Sequence, residues 1–535
     1  MAQNYTHIPK EKFSFVHEGD RISDKKFEDK PIGYFKDAWI RFRKNKASVV
    51  AAIIIIIVIL YSFVTPLLIT THDNSFMVNQ YSRKPGRVTW LRDTIGILDG
   101  GTDREISEPE LIRLVSIGIG AANVDGSKTT LEQGLESYYQ PVINIGEPKV
   151  VLNAKKQEVN QYPVRVDTYL EEGFVYMSIE QKDLQAILDW QEETGKQVLY
   201  PLVEKNEWNP DPENPNLWYK AKKVGYPVAI DAFGNANNIK YKPGMVLQDN
   251  YKRDASGNVI YYELSGGGSF DTAQYKIRVL YYNYYQYLYG FEPNYLMGTE
   301  SQGYDMALRI ADGIQLSLLI AIFVCVVNFI LGALYGAVEG YYGGVVDLVL
   351  ERVSDILNGV PFIIVATLFQ IHLAAKVGPI VCLLFAYILT GWIGTAYRVR
   401  TQFYRFKNQE YVMAARTLGA RDSRIIWKHI FPNSLGTIIT SSVLIIPGVL
   451  FSESTLTYLG IVNLDSSTMT SIGTMLANGR QYLSTYPHII FFPAVFISLL
   501  EISFNLFGNG LRDAFNPALR GSDECALKRN FRLKT

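Results

Sequence analysis

The sequence predicts an α-helical polytopic membrane protein of six spans, with an α+β domain inserted between the first and second helices. Three observations carry this. Apolar runs able to cross a hydrocarbon core of ~30 Å recur at about 48–70, 311–337, 350–374, 378–397, 436–461 and 487–509. Between the first two lies a polar block, residues 71–305, broken by Gly, Asn, Asp and Pro and carrying short β-branched runs. The charges are also divided: residues 72–305 hold 32 acidic and 23 basic side chains, which leaves 20 acidic and 29 basic elsewhere. A basic membrane part with an acidic outer part is what orientation by cytoplasmic Lys and Arg produces.

With 535 residues, 19% charged and 13% aromatic, the chain is too apolar for a purely soluble protein and too polar for a bare bundle. The formal net charge of zero hides the division, and the basic excess needs no nucleic acid to explain it. Cys325 and Cys382 fall in apolar spans and Cys525 in the basic tail, so the polar block must fold on its core alone, without disulfides. No secretory signal is expected, because the first apolar run begins only near residue 48.

Residues 1–47 read as a cytoplasmic segment ending in an amphipathic stretch, in which Trp39 and Phe42 sit at the membrane interface above Arg41, Arg43, Lys44 and Lys46. The first span, 48–70, contains five consecutive isoleucines and leads outward. In 71–305, Lys149–Leu152, Phe174–Ile179 and Val259–Leu264 read as strands, and Lys182–Glu193 as an amphipathic helix burying Leu184, Ile187, Leu188 and Trp190. Tyr281–Tyr289 holds six tyrosines and reads as a strand, an interface belt or a peptide-contact surface. Residues 306–520 carry the five remaining spans, and 521–535 form a basic tail on the same side as the N-terminal segment.

The most informative stretch is the cytosolic loop at 398–433. Tyr397–Asn433 carries 8 Lys or Arg against 2 Asp or Glu, which places it inside. The helix that starts near Glu410 runs through Met413, Ala414, Ala415, Arg416 and Leu418 to Gly419, where a left-handed residue without a Cβ penalty is needed. Ala420 follows, Asp422 or Ser423 caps the next helix, and Pro432 ends it. Adjacent alanines let another surface approach the backbone closely. A structured basic knuckle between two spans suits a protein pushed by a soluble partner.

Catalytic patterns are absent. The six histidines, at 7, 17, 72, 372, 429 and 488, are scattered, and no His-Glu-x-x-His, Cys-x-x-Cys or Gly-x-Ser-x-Gly occurs. Gly126–Thr129 resembles the end of a P-loop but lacks the upstream glycine. Glu453 and Glu501 stand inside apolar helices, and Glu351, Arg352 and Asp355 lie near a helix start. A carboxylate at bilayer depth costs several kcal/mol unless it faces a cavity or a partner. Glu453 and Glu501 therefore either hydrogen-bond a neighbouring helix or line a pathway.

The stretch Met413-Ala414-Ala415, then Gly419, then His429-Ile430-Phe431-Pro432, resembles the EAA loop of ABC-importer permeases. Met413 replaces the usual acidic residue and His429 the usual isoleucine. Asp37–Lys46 is similar to the entry of the first helix in C-type permeases of dipeptide and oligopeptide importers. Met297–Asp305 is similar to their Leu-Gly-Thr-Asp-x-x-Gly-Arg-Asp, and Phe504–Asp513 to their Asn-Leu-x-Gly-Asp-Gly-Leu-Arg-Asp. The resemblance covers roughly 33–70 and 294–520, and the large outer block has no counterpart in it.

The resemblance implies a type I ABC importer transmembrane fold and alternating access. It implies partners: a B-type permease completing the pathway, two ABC ATPases that bring ATP and Mg, and an extracellular binding protein that delivers peptide. No catalytic residue, metal or cofactor is expected in this chain. A nickel or glycoside permease, or a membrane-anchored receptor working through its outer domain, are the competing readings.

Overall fold

The computed structural model describes residues 34–515 except 123, 125–133, 153–155, 157, 204–217, 222–226, 231–246, 249–250, 267–272 and 467. Most of the N-terminal segment, the basic tail and the Gly126–Thr129 look-alike lie outside the described residues.

Among the described residues, five helices are long and apolar enough to cross a membrane: Lys46–Leu68, Met306–Tyr342, Pro379–Phe406, Asp422–Tyr458 and His488–Phe515. A sixth crossing exists only if Gly344–Asn358 and Phe362–Val377, bent by 67° where they meet, count as one span. The bend has a local cause. Pro361 has no N–H and steers the residue before it away from helical backbone. The run expected over 350–374 is therefore two helices. The run expected over 436–461 starts much earlier, at Asp422.

Helix Met306–Tyr342 is the pivot of the bundle. Its glycines 332, 336 and 340 recur every fourth residue and let helix Ile393–Phe406 come close. A Cβ at Gly336 would meet the Ala396 carbonyl oxygen at 2.2 Å. Along the first half of the same helix the core gathers Ile310, Ile314, Leu318, Ala321 and Val324 with Leu383, Ala386, Leu450, Leu456 and Leu500. At the N-terminal end Phe42 is buried, its ring edge-on to Phe507 at 5.5 Å. It packs on the last helix, and only Trp39 of the expected interface pair stays exposed.

The polar block is α+β. Strands β1 (Gly101–Ser107), β2 (Val142–Ile145), β3 (Lys149–Leu152) and β4 (Glu158–Asp167) form one antiparallel sheet in which β4 pairs with the other three. Strands β5 (Phe174–Glu180), β6 (Trp218–Ala221), β7 (Pro227–Ile230), β8 (Leu247–Gln248), β9 (Tyr262–Gly266) and β10 (Gln274–Leu280) make two more, ordered β5-β10-β9 and β7-β6-β8. Helix Gln181–Thr194 buries Leu184 and Ile187 against Val198, Leu199, Ile277 and Val279. In the run read as a strand over 259–264, Val259 makes only an isolated bridge with Arg253, and the sheet pairing with β10 begins at Tyr262.

Tyr281–Tyr289 is a helix and not a strand. It follows directly from β10 and closes at Gly290, φ +77°. Tyr281 and Tyr285, one turn apart, pack with Tyr81, Tyr169 and Tyr295. Aromatic β propensity yields here to burial on a helical face.

The block is tied to the bundle at both ends. The His72 ring lies 3.1 Å, Nε2 to Oδ2, from the Asp305 carboxylate, and the other oxygen of Asp305 caps helix Met306–Tyr342 at Ala307 N, 2.7 Å. Gly303 has φ +93°, and a Cβ there would meet the Val78 carbonyl oxygen at 2.1 Å. The guanidinium of Arg83 faces the rings of Tyr482 and Tyr486, 5.2 and 5.6 Å from their centroids.

Candidate coupling loop and buried polar sites

Helix Glu410–Thr417 projects from the bundle and is anchored by one residue. Val412 is buried with Val399, Phe403, Ile425, Ile426 and Ile430, while Glu410, Met413, Ala414 and Arg416 face outward. Ala415 and Ala420 are half-buried. The helix ends as its sequence requires. Gly419 sits at φ +80°, its N–H donates to Arg416 O at 3.0 Å, and the Ala420 N–H donates to Ala415 O at 3.0 Å. That pair of bonds is a Schellman motif. Leu418, just before the turn, is 88% exposed, so the knuckle ends in an apolar tip set among Arg416, Arg421 and Arg424.

Two details differ from expectation. Neither Asp422 nor Ser423 caps the second helix. Its N-cap is Arg421, and Asp422 instead accepts a hydrogen bond from the Tyr341 hydroxyl at 2.5 Å. Pro432 does not end the helix either. The backbone widens to a π-helical turn over Ile425–Ile430, with Phe431 N–H bonded to Ile426 O, and runs on through Phe431–Val443. The wider turn accommodates a residue that offers no N–H and would clash with the turn below it.

Behind the knuckle, helix Gly344–Asn358 is held to helix Ile393–Phe406 by one arginine. Arg400 Nε and Nη2 donate to Asp347 at 2.6 and 2.8 Å, and Nη1 donates to Glu351 at 2.9 Å. Tyr404 also donates to Asp347, and Glu339 lies 3.5 Å from Arg400 Nε. Arg352 and Asp355 form a separate exposed pair at 3.0 Å.

Glu453 is 1% exposed on helix Ile445–Tyr458. Its Oε2 accepts from Ser317 of helix Met306–Tyr342 at 3.0 Å and from Ser454 at 3.5 Å, and its Oε1 has no partner among the described residues. The interhelix hydrogen bond is thus present. Glu501 is half-buried; its backbone carbonyl accepts from Asn505 Nδ2 at 2.9 Å, and its carboxylate has no hydrogen bond or ion pair among the described residues.

A further cluster escaped the sequence reading. Arg309, 1% exposed, donates through Nη2 to Asp465 at 2.5 Å and through Nη1 to Ser466 O at 3.0 Å, while Glu300 lies 3.6 Å from its Nε. One cation thus stands between two carboxylates. Burial pushes the Glu300 carboxyl up to about 7; the nearby Arg309 opposes that shift and Asp465 adds to it. The available signal was an arginine three residues into an apolar helix. Among the described residues no group of His, Cys, Asp and Glu is placed to hold a metal.

Comparison with known proteins fits these features. Residues 331–521 match the family described as binding-protein-dependent transport system inner membrane component, and residues 33–85 match the N-terminal transmembrane domain of oligopeptide transport permease C. Neither match reaches residues 86–330. The chain is 39% identical over 223 residues to the oligopeptide transport system permease protein OppC of Bacillus subtilis, covering 42% of this chain and 72% of that one. It is 38% identical over 224 residues to the dipeptide permease protein DppC of the same organism, covering 42% and 68%. The MetNI methionine ABC transporter in an inward-facing conformation aligns with a TM-score of 0.32 at 16% identity, over 39% of this chain and 98% of that one.

A multi-helix membrane component of a transport system is the class these helices and matches define. The chain belongs to the binding-protein-dependent transport system inner membrane components, in their C-type dipeptide and oligopeptide permease branch.

Proposed function

We propose that this chain is the C-type permease of an ATP-driven importer of oligopeptides or dipeptides, forming half of the translocation pathway in a six-span, type I arrangement. The observation that carries the coupling role is the knuckle itself: Leu418 and Met413 exposed beside Arg416, Arg421 and Arg424, on a helix pinned to the bundle by Val412. Exposed apolar side chains ringed by charge mark a protein contact. The partners in this reading are a B-type permease, two ATPases that bind ATP and Mg, and an extracellular binding protein. The nickel, glycoside and receptor alternatives have no comparable support among the relatives.

ATPase closure would push helix Glu410–Thr417, and the push does work only if the two bundle states differ in how they hold that helix. Both ends of the chain and residues 398–433 lie in the cytosol in this reading, and the block 71–305 lies outside, where it receives the binding protein or its peptide. Co-purification with two ATPases, and peptide-stimulated ATP hydrolysis in proteoliposomes, test it. A chain that purifies alone and binds peptide only through its outer block would overturn it in favour of a receptor.

A further inference from the structure

We propose that a cavity between Arg398 and Arg512 holds the headgroup of an anionic, phosphate-bearing lipid of the cytosolic leaflet. The inference rests on the orientation proposed above. The cavity, about 400 Å³, opens between helices Ile393–Phe406, Phe431–Val443 and the end of His488–Phe515. That is enough for a headgroup and the start of its chains.

Its chemistry selects the ligand. Arg398 Nη1 has only a long contact, 3.4 Å, to the Ser441 carbonyl, and neither Arg398 nor Arg512 pairs with a carboxylate among the described residues. Arg400, two residues on, has three acids around it. No Asp or Glu lines the cavity, so an amine or a zwitterionic peptide would find no counter-charge there. Two guanidiniums and the hydroxyl of Thr437 are donors suited to phosphate oxygens, while the Thr440 and Ser441 hydroxyls already donate to the Thr437 and Ile438 carbonyls at 3.1 and 2.8 Å. Gln402 adds a buried Oε1 without a partner among the described residues, an acceptor for a glycerol hydroxyl.

The walls separate a lipid from a free anion. Leu444 and Ile438 continue the cavity along the apolar part of their helix, and the exposed ring of Tyr397 stands at its mouth, where tyrosine marks a membrane interface. Soluble phosphate would satisfy the arginines and leave that apolar wall wet. Phosphatidylglycerol uses all of it.

The test is retention of phosphatidylglycerol by the complete transporter in phosphatidylcholine nanodiscs, read by native mass spectrometry. Wild type should enrich phosphatidylglycerol over bulk. Arg398→Ala with Arg512→Ala should weaken retention about 30-fold, two surface charges' worth. Thr437→Trp, which fills the mouth without touching charge, should weaken it too. Unchanged retention in either variant, displacement by millimolar inorganic phosphate, or loss of uptake with retention intact would each overturn the proposal. ATPase co-purification and cysteine labelling of residues 398–433 report on the transport reading and its orientation independently of these outcomes.

Discussion

The Tyr341 hydroxyl donates to Asp422 at 2.5 Å and so joins the end of the bundle's pivotal helix to the base of the knuckle. Arg416 lies 5.8 Å from the same tyrosine ring. A displacement of the knuckle therefore reaches helix Met306–Tyr342 through the Tyr341 side chain as well as through the packing around Val412. Tyr341→Phe should keep membrane insertion and ATPase binding, lower stability by about 1–2 kcal/mol, and reduce peptide taken up per ATP hydrolysed. Thermal unfolding and a proteoliposome uptake-to-hydrolysis ratio measure both; an unchanged ratio would show that force takes another route.

Gly419→Val tests the turn. Nothing lies within 4 Å of a Cβ at Gly419, so no clash is involved. The cost is backbone strain at φ +80°, about 1–2 kcal/mol. The expected result is normal expression with ATP hydrolysis uncoupled from uptake. Gly419→Asn, which tolerates left-handed backbone better, should retain more coupling.

Gly303→Ala combines both penalties. Its φ of +93° is unfavourable for alanine, and the added carbon would overlap the Val78 carbonyl. We expect a loss of more than about 2 kcal/mol. Limited proteolysis should show segment 76–88 released first. Equal protection of that segment in the variant would refute the contact.

Stability should respond to pH through Glu300. Its carboxyl titrates near 7 in the folded chain, above its usual range near 4.5, so the folded state binds the extra proton between those values. By linkage, that contribution is fully present below about pH 4.5, declines as pH rises toward 7 with a slope of up to about 1.4 kcal/mol per unit, and is absent above. Glu300→Gln should flatten the melting temperature between pH 5 and 7. A profile as steep as wild type would assign the dependence to another group.

Removing about residues 80–285, with insertion preserved, should abolish capture of the binding protein or uptake of peptide. Normal transport by such a variant would make the block a protective cover.

Much of the membrane part was legible because bilayer thickness imposes run length. Gly419 was legible for a similar reason: a helix stop with one permissive residue leaves few options. Pro432 was misread, because proline ends helices only where the backbone cannot widen, and the π-helical turn at Ile425–Ile430 let it. The tyrosine-rich run stayed open between strand, interface belt and contact surface, because six aromatic residues do not reveal their period until their partners are known. Those partners, Tyr81, Tyr169 and Tyr295, are distant in sequence. Arg309 with Asp465, and Arg400 with Asp347, were invisible for the same reason, since each pair spans more than fifty positions.

Arg83, lodged over two rings of the loop between the last two long helices, fastens the polar block to that loop. That loop also carries Asp465, which grips Arg309 at the root of the pivotal helix. Any motion that draws that loop away from the block must therefore lift Arg83 off both rings.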